Sequence, residues 1–447
     1  MRKLTIIQAI SYLQRLSDLY LFRQASRHSK DIDKVIKDID DLLSKDQEIQ
    51  NLEIIFRQLF GFLNEEDVKD LAYVLYNTRS LNNSEATYEK LKLSLNSYDY
   101  KLTTCLNFKS ISKLLGVNGL YYFSYIFRNL ALERAVADFE KDPQKYNLDE
   151  MVLAYKAYLD LGDMRVYKLL NNIKSRHKLL LPIKKMRTYA DLVLNHSSNT
   201  PRMKPVFKRD KLFVKEIKDK NIGIYGPAKT QETDLESRIH NNDVVLLMNY
   251  SGDLNTLKNS NAKYISYYAG HRVLGLKQIY GKKRFENVYE HLNYTVFKNK
   301  DDFHTEKLNK LNSRLRFSVN YENYFFQGSP NLGPLIILDI LSFTNRPINL
   351  YKNNMFLSNQ PYDKSYLTKK HINRKITDVW RSHWTHDLLS QFNLIKNLHE
   401  CKSLILDITG RDVFSLSQSE YIIKMEQIYV SKYLKDGVSM KSWTQRV

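Results

Sequence analysis

Two segments of this chain carry residue types that hold nucleotides and phosphates. The first runs Lys220-Asn221-Ile222-Gly223-Ile224-Tyr225-Gly226-Pro227-Ala228 and is followed by Asn242-Asp243-Val244-Val245-Leu246-Leu247-Met248-Asn249. The second is Gly328-Ser329-Pro330-Asn331-Leu332-Gly333-Pro334, which leads into Leu335-Ile336-Ile337-Leu338-Asp339-Ile340-Leu341 and then Pro347-Ile348-Asn349-Leu350-Tyr351. Each reads as a small-residue turn joined to a buried strand or helix, and in α/β proteins such turns hold phosphates at strand C-termini. A glycine at 226 lets a ligand approach the backbone closely. Asn249 ends the next strand; its amide can read a ribose or a base edge, and it can equally cap a turn. The first N–H groups of the helix after Pro330–Gly333 point at whatever lies in the cleft, and the helix dipole favours an anion there. The same spacing also describes an ordinary passage from loop to helix. Neither segment has the Gly-x-Gly-x-x-Gly of dinucleotide folds or the Gly-Lys-Ser/Thr of a P-loop.

A third stretch, Arg381-Ser382-His383-Trp384-Thr385-His386-Asp387, opens a helical pattern. An imidazole there can take a proton from an attacking hydroxyl near neutral pH. A position at a helix N-terminus lowers its pKa and keeps it a neutral base. His383 and His386 both qualify, and a histidine that merely caps or packs at a helix start fits as well. Residues 212–447 contain no Asp-x-Asp of the kind that holds a divalent metal. Asp31-Ile32-Asp33 and Asp38-Ile39-Asp40 read as solvated helix faces. No Gly-x-Ser-x-Gly elbow, His-Glu-x-x-His or kinase catalytic loop appears.

The elements that must position these residues fall into two halves. The 447 residues exceed one ordinary domain. Residues 1–200 read as an all-helical domain: Leu13, Leu16, Leu19 and Tyr20 recur at helical spacing, as do Ile54, Ile55, Leu59 and Phe62, and Leu71, Val74 and Leu75. Leu153 to Leu170 reads as a helix, a Gly162-Asp163 turn and a second helix, a hairpin like those of tetratricopeptide arrays, without a clean 34-residue period; an irregular bundle fits equally. Residues 197–211, polar and with Pro201 and Pro205, read as a linker. From 212 to 447 strands alternate with helices: strands at 222–225, 244–248, 264–268, 348–351 and 404–407, and helices at 334–344 and 386–399. Low Gly (14) and Pro (9) contents favour helices over a large all-β fold.

The net charge of +20 attracts polyanions: nucleic acid, an anionic membrane or acidic glycans. The basic residues are scattered, as in Lys282-Lys283-Arg284 and Lys369-Lys370, and no RRM, KH or zinc-finger pattern accompanies them. This favours a membrane surface or an anionic ligand over nucleic acid. Cys105 and Cys401 lie far apart without metal spacing, as expected in a reducing cytosol. The first residues lack a signal-peptide pattern, and no run approaches the ~20 apolar residues that span a bilayer. The expected location is cytoplasmic, with peripheral association at the inner face of the cytoplasmic membrane.

The two segments and the late histidine together resemble the eukaryotic-type sialyltransferases and their bacterial relatives, which use CMP-activated 2-keto sugar acids. That family's long motif places a Val-Gly-Asn-Ser/Gly turn after a strand and continues to Asp-x-Val-x-Arg-x-Asn. Ile224 to Ala228 and Ile239 to Asn249 are similar to it. Its short motif, Pro-Ser-Thr-Gly, an apolar helix and Val-x-Val-Tyr-Gly, is similar to Pro330-Asn331-Leu332-Gly333 through Ile348-Asn349-Leu350-Tyr351. Its catalytic histidine precedes a glutamate by five residues; here Gln391 lies five after His386. The likeness covers residues 215–425, and the chain departs from it at Pro227 for Asn, Leu247 for Arg, Asn331-Leu332 for Ser-Thr, Lys352 for Gly and Gln391 for Glu.

The resemblance implies a Rossmann-like, variant GT-A glycosyltransferase domain over 212–447. It implies metal-independent, inverting transfer of sialic acid or Kdo from its CMP-sugar donor to a glycan acceptor, in bacterial capsule or lipopolysaccharide synthesis. His386 is then the catalytic base, and Gly226, Pro227, Ala228, Asn249, Ser329, Asn331, Leu332 and Gly333 bind the nucleotide sugar. No cofactor is implied beyond the donor itself, since CMP leaves with a single phosphate and needs less metal assistance. Two other classes stand beside this one: a helical-repeat scaffold with a non-catalytic α/β domain, and a basic nucleic-acid-binding protein with a steep salt dependence.

Overall fold

The computed structural model describes residues 121–177, 180–194, 203–205, 207–228, 241–250, 261–268, 292–298, 314–358 and 386–429, with Cys105, Phe108, Lys109 and Ser112 before them. The helical pattern expected over the first hundred residues, both Asp-x-Asp pairs, the Lys282 and Lys369 clusters and His383 lie outside these residues. The chain divides into two compact units, Met1–Asp138 with Ile422–Val447, and Phe139–Tyr421.

In the first unit, helix α1 (Tyr121–Lys141) contributes Tyr122, whose N–H donates to Glu426 Oε2 at 2.9 Å. The Ser112 and Ser124 hydroxyls each donate to the other's carbonyl at 2.7 Å. Cys105 is buried there as a free thiol, pushed up to about 12 by loss of water.

The second unit opens with three helices, α2 (Leu148–Asp160), α3 (Val166–His177) and α4 (Leu180–Val193). Asn147 and Glu150 close a reciprocal capping box at the start of α2. Gly162 at φ 70 then turns the chain into α3, so the helix, turn and helix read from the sequence occur as expected. Helix α5 (Lys208–Ile217) falls partly where a linker was expected. Pro205 precedes it, no Gly or Pro interrupts it, and Phe213 and Ile217 bury one face.

The core is a seven-stranded parallel sheet: β1 (Ile222–Tyr225), β2 (Val244–Met248), β3 (Lys263–Tyr268), β4 (Tyr294–Phe297), β5 (Leu315–Phe317), β6 (Ile348–Tyr351) and β7 (Leu404–Leu406). The order across the sheet is β5-β4-β3-β2-β1-β6-β7, and every pairing is parallel. Parallel strands are covered on both faces, which is why β1 and β2 read as nearly unbroken apolar runs. The strands expected from the sequence do not include β4 and β5.

The chain steps outward from β1 to β5 and then returns to the other side of β1 as β6. That reversal is a topological switch point, where the loops at the strand C-termini part and leave a crevice. Helix α6 (Leu332–Leu341) joins β5 to β6, α7 (Leu388–Glu400) joins β6 to β7, and α8 (Ile408–Phe414) and α9 (Gln418–Tyr429) follow. α6 is buried from Gly333 to Leu341. Six of its large aliphatic side chains are buried, each contributing roughly 1.5–3 kcal/mol when fully buried.

One carboxylate interrupts that apolar helix. Asp339 is fully buried and binds Arg316 of β5 through both oxygens, at 2.5 and 3.2 Å. It also accepts the Tyr267 hydroxyl at 2.6 Å and the Val319 N–H at 2.8 Å. Arg316 reaches Asp210 of α5 at 3.2 Å, and its guanidinium lies 4.1 Å from the Phe213 ring centre. Burial is the largest single effect and opposes the Arg316 charge, but Asp339, Tyr267 and Asp210 together outweigh it and raise its pKa above the usual value. Burial, then Asp339, pushes the Tyr267 phenol well above its usual range. A charge pair so far from water holds α6 at one height over β3 and β5, because any slip leaves a buried group unpaired.

Candidate active site

The two small-residue turns and His386 meet the same edge of the sheet, that formed by the strand C-termini. The first turn is held by backbone. Gly226 N–H donates to Tyr351 O at 2.8 Å and Ala228 N–H to Lys352 O at 3.2 Å, so the β1–β6 ladder runs on beyond both strands. A Cβ at residue 226 would stand 2.2 Å from Lys352 O, so the glycine admits the end of β6. That differs from the expected reason, close approach of a ligand. With Gly226 and Ala228 both donating to the end of β6 and Pro227 lacking an N–H, this turn is poorly suited to cradle an anion.

Lys352, where the resembled family has glycine, takes φ 54, a left-handed conformation that glycine adopts without strain. It is clamped by the Asp407 carboxylate, which accepts Lys352 N–H at 2.7 Å with one oxygen and caps α8 through Gly410 N–H at 2.8 Å with the other. Tyr225 and Tyr351, paired in register, stack with ring centres 4.9 Å apart. Behind them Asn242 accepts from the Asn349 amide at 3.0 Å. Gly223 makes room for it, since a Cβ there would meet the Asn242 amide at 2.8 Å.

Asn249 follows β2 with φ 48, and its N–H donates to Tyr267 O at 2.8 Å. The left-handed backbone explains the residue type, because asparagine tolerates that region better than most side chains. Gly333 sits across from the end of the same strand: a Cβ there would lie 3.2 Å from the Met248 methyl. This places the start of α6 over the end of β2.

The second turn is held by side chains from sixty residues further along. Ser329 forms a parallel bridge with His386. His386 Nδ1 lies 3.1 Å from Ser329 O and 3.3 Å from Ser329 Oγ. A carbonyl can only accept, so Nδ1 carries the hydrogen and Nε2 the basic lone pair. Asp387 caps α7 through Ser390 N–H at 3.1 Å and also accepts Gln327 N–H at 2.6 Å. The oxygen that takes Gln327 N–H also accepts the Ser390 hydroxyl at 2.8 Å, and Ser390 also bonds Asp160 of α2.

Gln391 is fully buried. Its Oε1 accepts Asn331 N–H at 3.0 Å, and its Nε2 donates to Asp387 O at 2.9 Å. Both halves of the amide are used, which a charged carboxylate could not reproduce. That accounts for glutamine where the resembled motif has glutamate.

At α6 itself Asn331 occupies the cap position without a side-chain cap bond. Leu332 and Gly333 supply the first helical N–H groups, and Pro334 supplies none. Lys298, the residue after β4, brings its ammonium to 3.4 Å from Pro330 O. The sequence reading missed this lysine, because only the sheet order carries the end of β4 to the second turn. Thus Ser329, Asn331, Leu332, Gly333, His386 and Lys298 gather at one turn, while Gly226, Pro227, Ala228 and Asn249 line the ends of β1 and β2.

Among the described residues no group of three or more His, Cys, Asp or Glu side chains is placed to hold a metal ion, and no helix is long and apolar enough to cross a membrane. No protein-family model matches this chain, and no match was found among curated proteins or solved structures.

Proposed function

We propose that the α/β unit is a metal-independent, inverting glycosyltransferase of variant GT-A type, which takes a 2-keto sugar acid, sialic acid or Kdo, from its CMP-activated donor to a glycan acceptor. The observation that carries this reading is the join between Ser329 and His386: a tautomer-fixed imidazole beside the uncapped start of a buried helix at a parallel-sheet edge. The acceptor hydroxyl gives its proton to His386 Nε2 as its oxygen attacks the anomeric carbon. The bond to the CMP phosphate breaks on the opposite face. The Leu332 and Gly333 amides, the dipole of α6 and the Lys298 ammonium meet the phosphate as its charge develops. Gly226, Pro227, Ala228 and Asn249 lie on the nucleoside side. Acceptors in capsule or lipopolysaccharide synthesis fit this chemistry, and so does a cytoplasmic location against the inner membrane face.

The test is thermal-shift binding of CMP against AMP, UMP and GMP, on the wild type and on Asn249→Ala. Stabilisation by CMP alone, weakened in the variant, is the expected result. Turnover of CMP-sialic acid and CMP-Kdo is then measured with His386→Ala, where loss of the base lowers the rate about 10²- to 10⁴-fold while CMP still binds. If no nucleotide stabilises the protein, the unit is a non-catalytic domain of a scaffold and the reading fails.

A further inference from the structure

Helix α5 has two unlike faces. Phe213 and Ile217, four residues apart, are buried against the sheet. Lys208, Lys211, Lys215 and Lys218 recur at helical spacing on the opposite side, and all four are exposed. Phe207 and Leu212 flank that stripe with 56% and 42% of their surface in water. The acids within the helix are turned away from it: Asp210 bonds Arg316 at 3.2 Å, and Glu216 pairs with Lys263 of β3. Asp219, beyond the helix, lies 4.0 Å from Arg346. The guanidinium of Arg209 lies 5.6 Å from the Phe207 ring centre and 5.3 Å from that of Phe317.

We infer that α5 docks this unit on an anionic lipid surface, with the four lysines on headgroup phosphates and Phe207 and Leu212 entering the interfacial layer. Charge complementarity selects an anionic partner. The two exposed apolar side chains select lipid, because they leave water at the acyl boundary and gain little in a nucleic-acid groove. The stripe also lacks the Arg, Asn and Gln side chains that read base edges.

The position of the helix sets the orientation. Phe213 packs edge-on against Tyr294, the first residue of β4, and Glu216 reaches Lys263, the first residue of β3. α5 therefore runs alongside the outer strands, from the end of β5 at Arg209 to the start of β3 at Glu216.

The full-length protein is sedimented with vesicles of phosphatidylcholine alone and of phosphatidylcholine mixed with phosphatidylglycerol. The wild type sediments with the anionic vesicles only. Lys208→Gln/Lys211→Gln/Lys215→Gln lowers that partition about a hundredfold, at about fivefold per lysine. Phe207→Ser/Leu212→Ser removes the part of the binding that survives high salt. Lys168→Gln/Lys174→Gln, on exposed residues of α3, leaves binding unchanged, and circular dichroism checks that each variant is folded. Equal binding to both vesicle types, or full binding by the triple variant, overturns the inference. So does loss of RNA binding in the triple variant with vesicle binding intact, which assigns the stripe to nucleic acid.

Discussion

The turn after β1 and the turn before α6 lie at one edge of one sheet, but they are fixed by different means. The first is an extension of strand pairing: Gly226 and Ala228 donate to the end of β6, and the sheet register alone decides where they stand. The second is hung on side chains, His386 to Ser329, Gln391 to Asn331 and Asp387 to Gln327, all from one segment at the start of α7. Backbone pairing consumes the amides that could have met an anion. Side-chain anchoring uses Asn331 N–H and leaves the Leu332 and Gly333 amides at the mouth of an uncapped helix. Of the two, only the second turn keeps helix-start amides placed as the proposed phosphate contact requires.

The largest effect is expected behind the second turn. Asp339→Leu leaves the buried Arg316 with Asp210 as its remaining carboxylate and should cost about 3–5 kcal/mol in chemical denaturation. Asp339→Leu with Arg316→Met should recover most of that loss, as paired removal of buried charges does. A nearly neutral Asp339→Leu would show that the pair does not anchor α6.

Gly226→Ala attacks the first turn and should cost about 2–3 kcal/mol, because the obstacle is the Lys352 carbonyl and cannot rotate away. Gly333→Ala meets only the Met248 methyl and should stay within about 1 kcal/mol of wild type. Equal costs at the two glycines, read as melting temperatures, would erase the distinction between a backbone-held and a side-chain-held turn.

Gln391→Met leaves Asn331 N–H without its acceptor, at about 1–3 kcal/mol, while Asp387 O keeps the backbone N–H of residue 391 at 3.1 Å. Gln391→Glu sharpens the point through pH. Only its protonated form can donate to Asp387 O, so the carboxyl pKa in the folded state rises above the unfolded value of about 4.3. A raised folded pKa gives stability that is full below the unfolded pKa and lost as pH rises through the folded one. The variant, compared with wild type at each pH, should therefore weaken steadily as pH climbs from about 4.3. A flat difference across pH would remove the donor role of Gln391.

The smallest effect is expected at Lys352. Lys352→Gly removes left-handed strain and adds chain entropy, and the two should cancel to within about 0.5 kcal/mol. Lys352→Val, branched at Cβ, should cost about 1–2 kcal/mol at the same φ.

The sequence by itself determined a good part of this molecule. Apolar runs such as Val244–Met248 can be stable only as buried strands, and their alternation with helical stretches pointed to an α/β sheet. Strands 222–225, 244–248 and 348–351 occur where the pattern put them, and 264–268 and 404–407 within a residue at one end. Gly162 marked its turn, and the small residues at 226–228 and 329–333 marked the two turns at the sheet edge, because local backbone demands appear as residue types. Other features could be decided only in three dimensions. The order β5-β4-β3-β2-β1-β6-β7 brings Lys298 to Pro330, residues with nothing in common in the chain. Gln391 reads as a lost charge until its two bonds are seen, and the steric need for glycine at 226 appears only once Lys352 O is found beside it. Asp339 meets Arg316, Tyr267 and Val319 only in the folded sheet. Each is a hydrogen bond or a steric limit between residues far apart in sequence, and such partners leave no periodic trace in the chain.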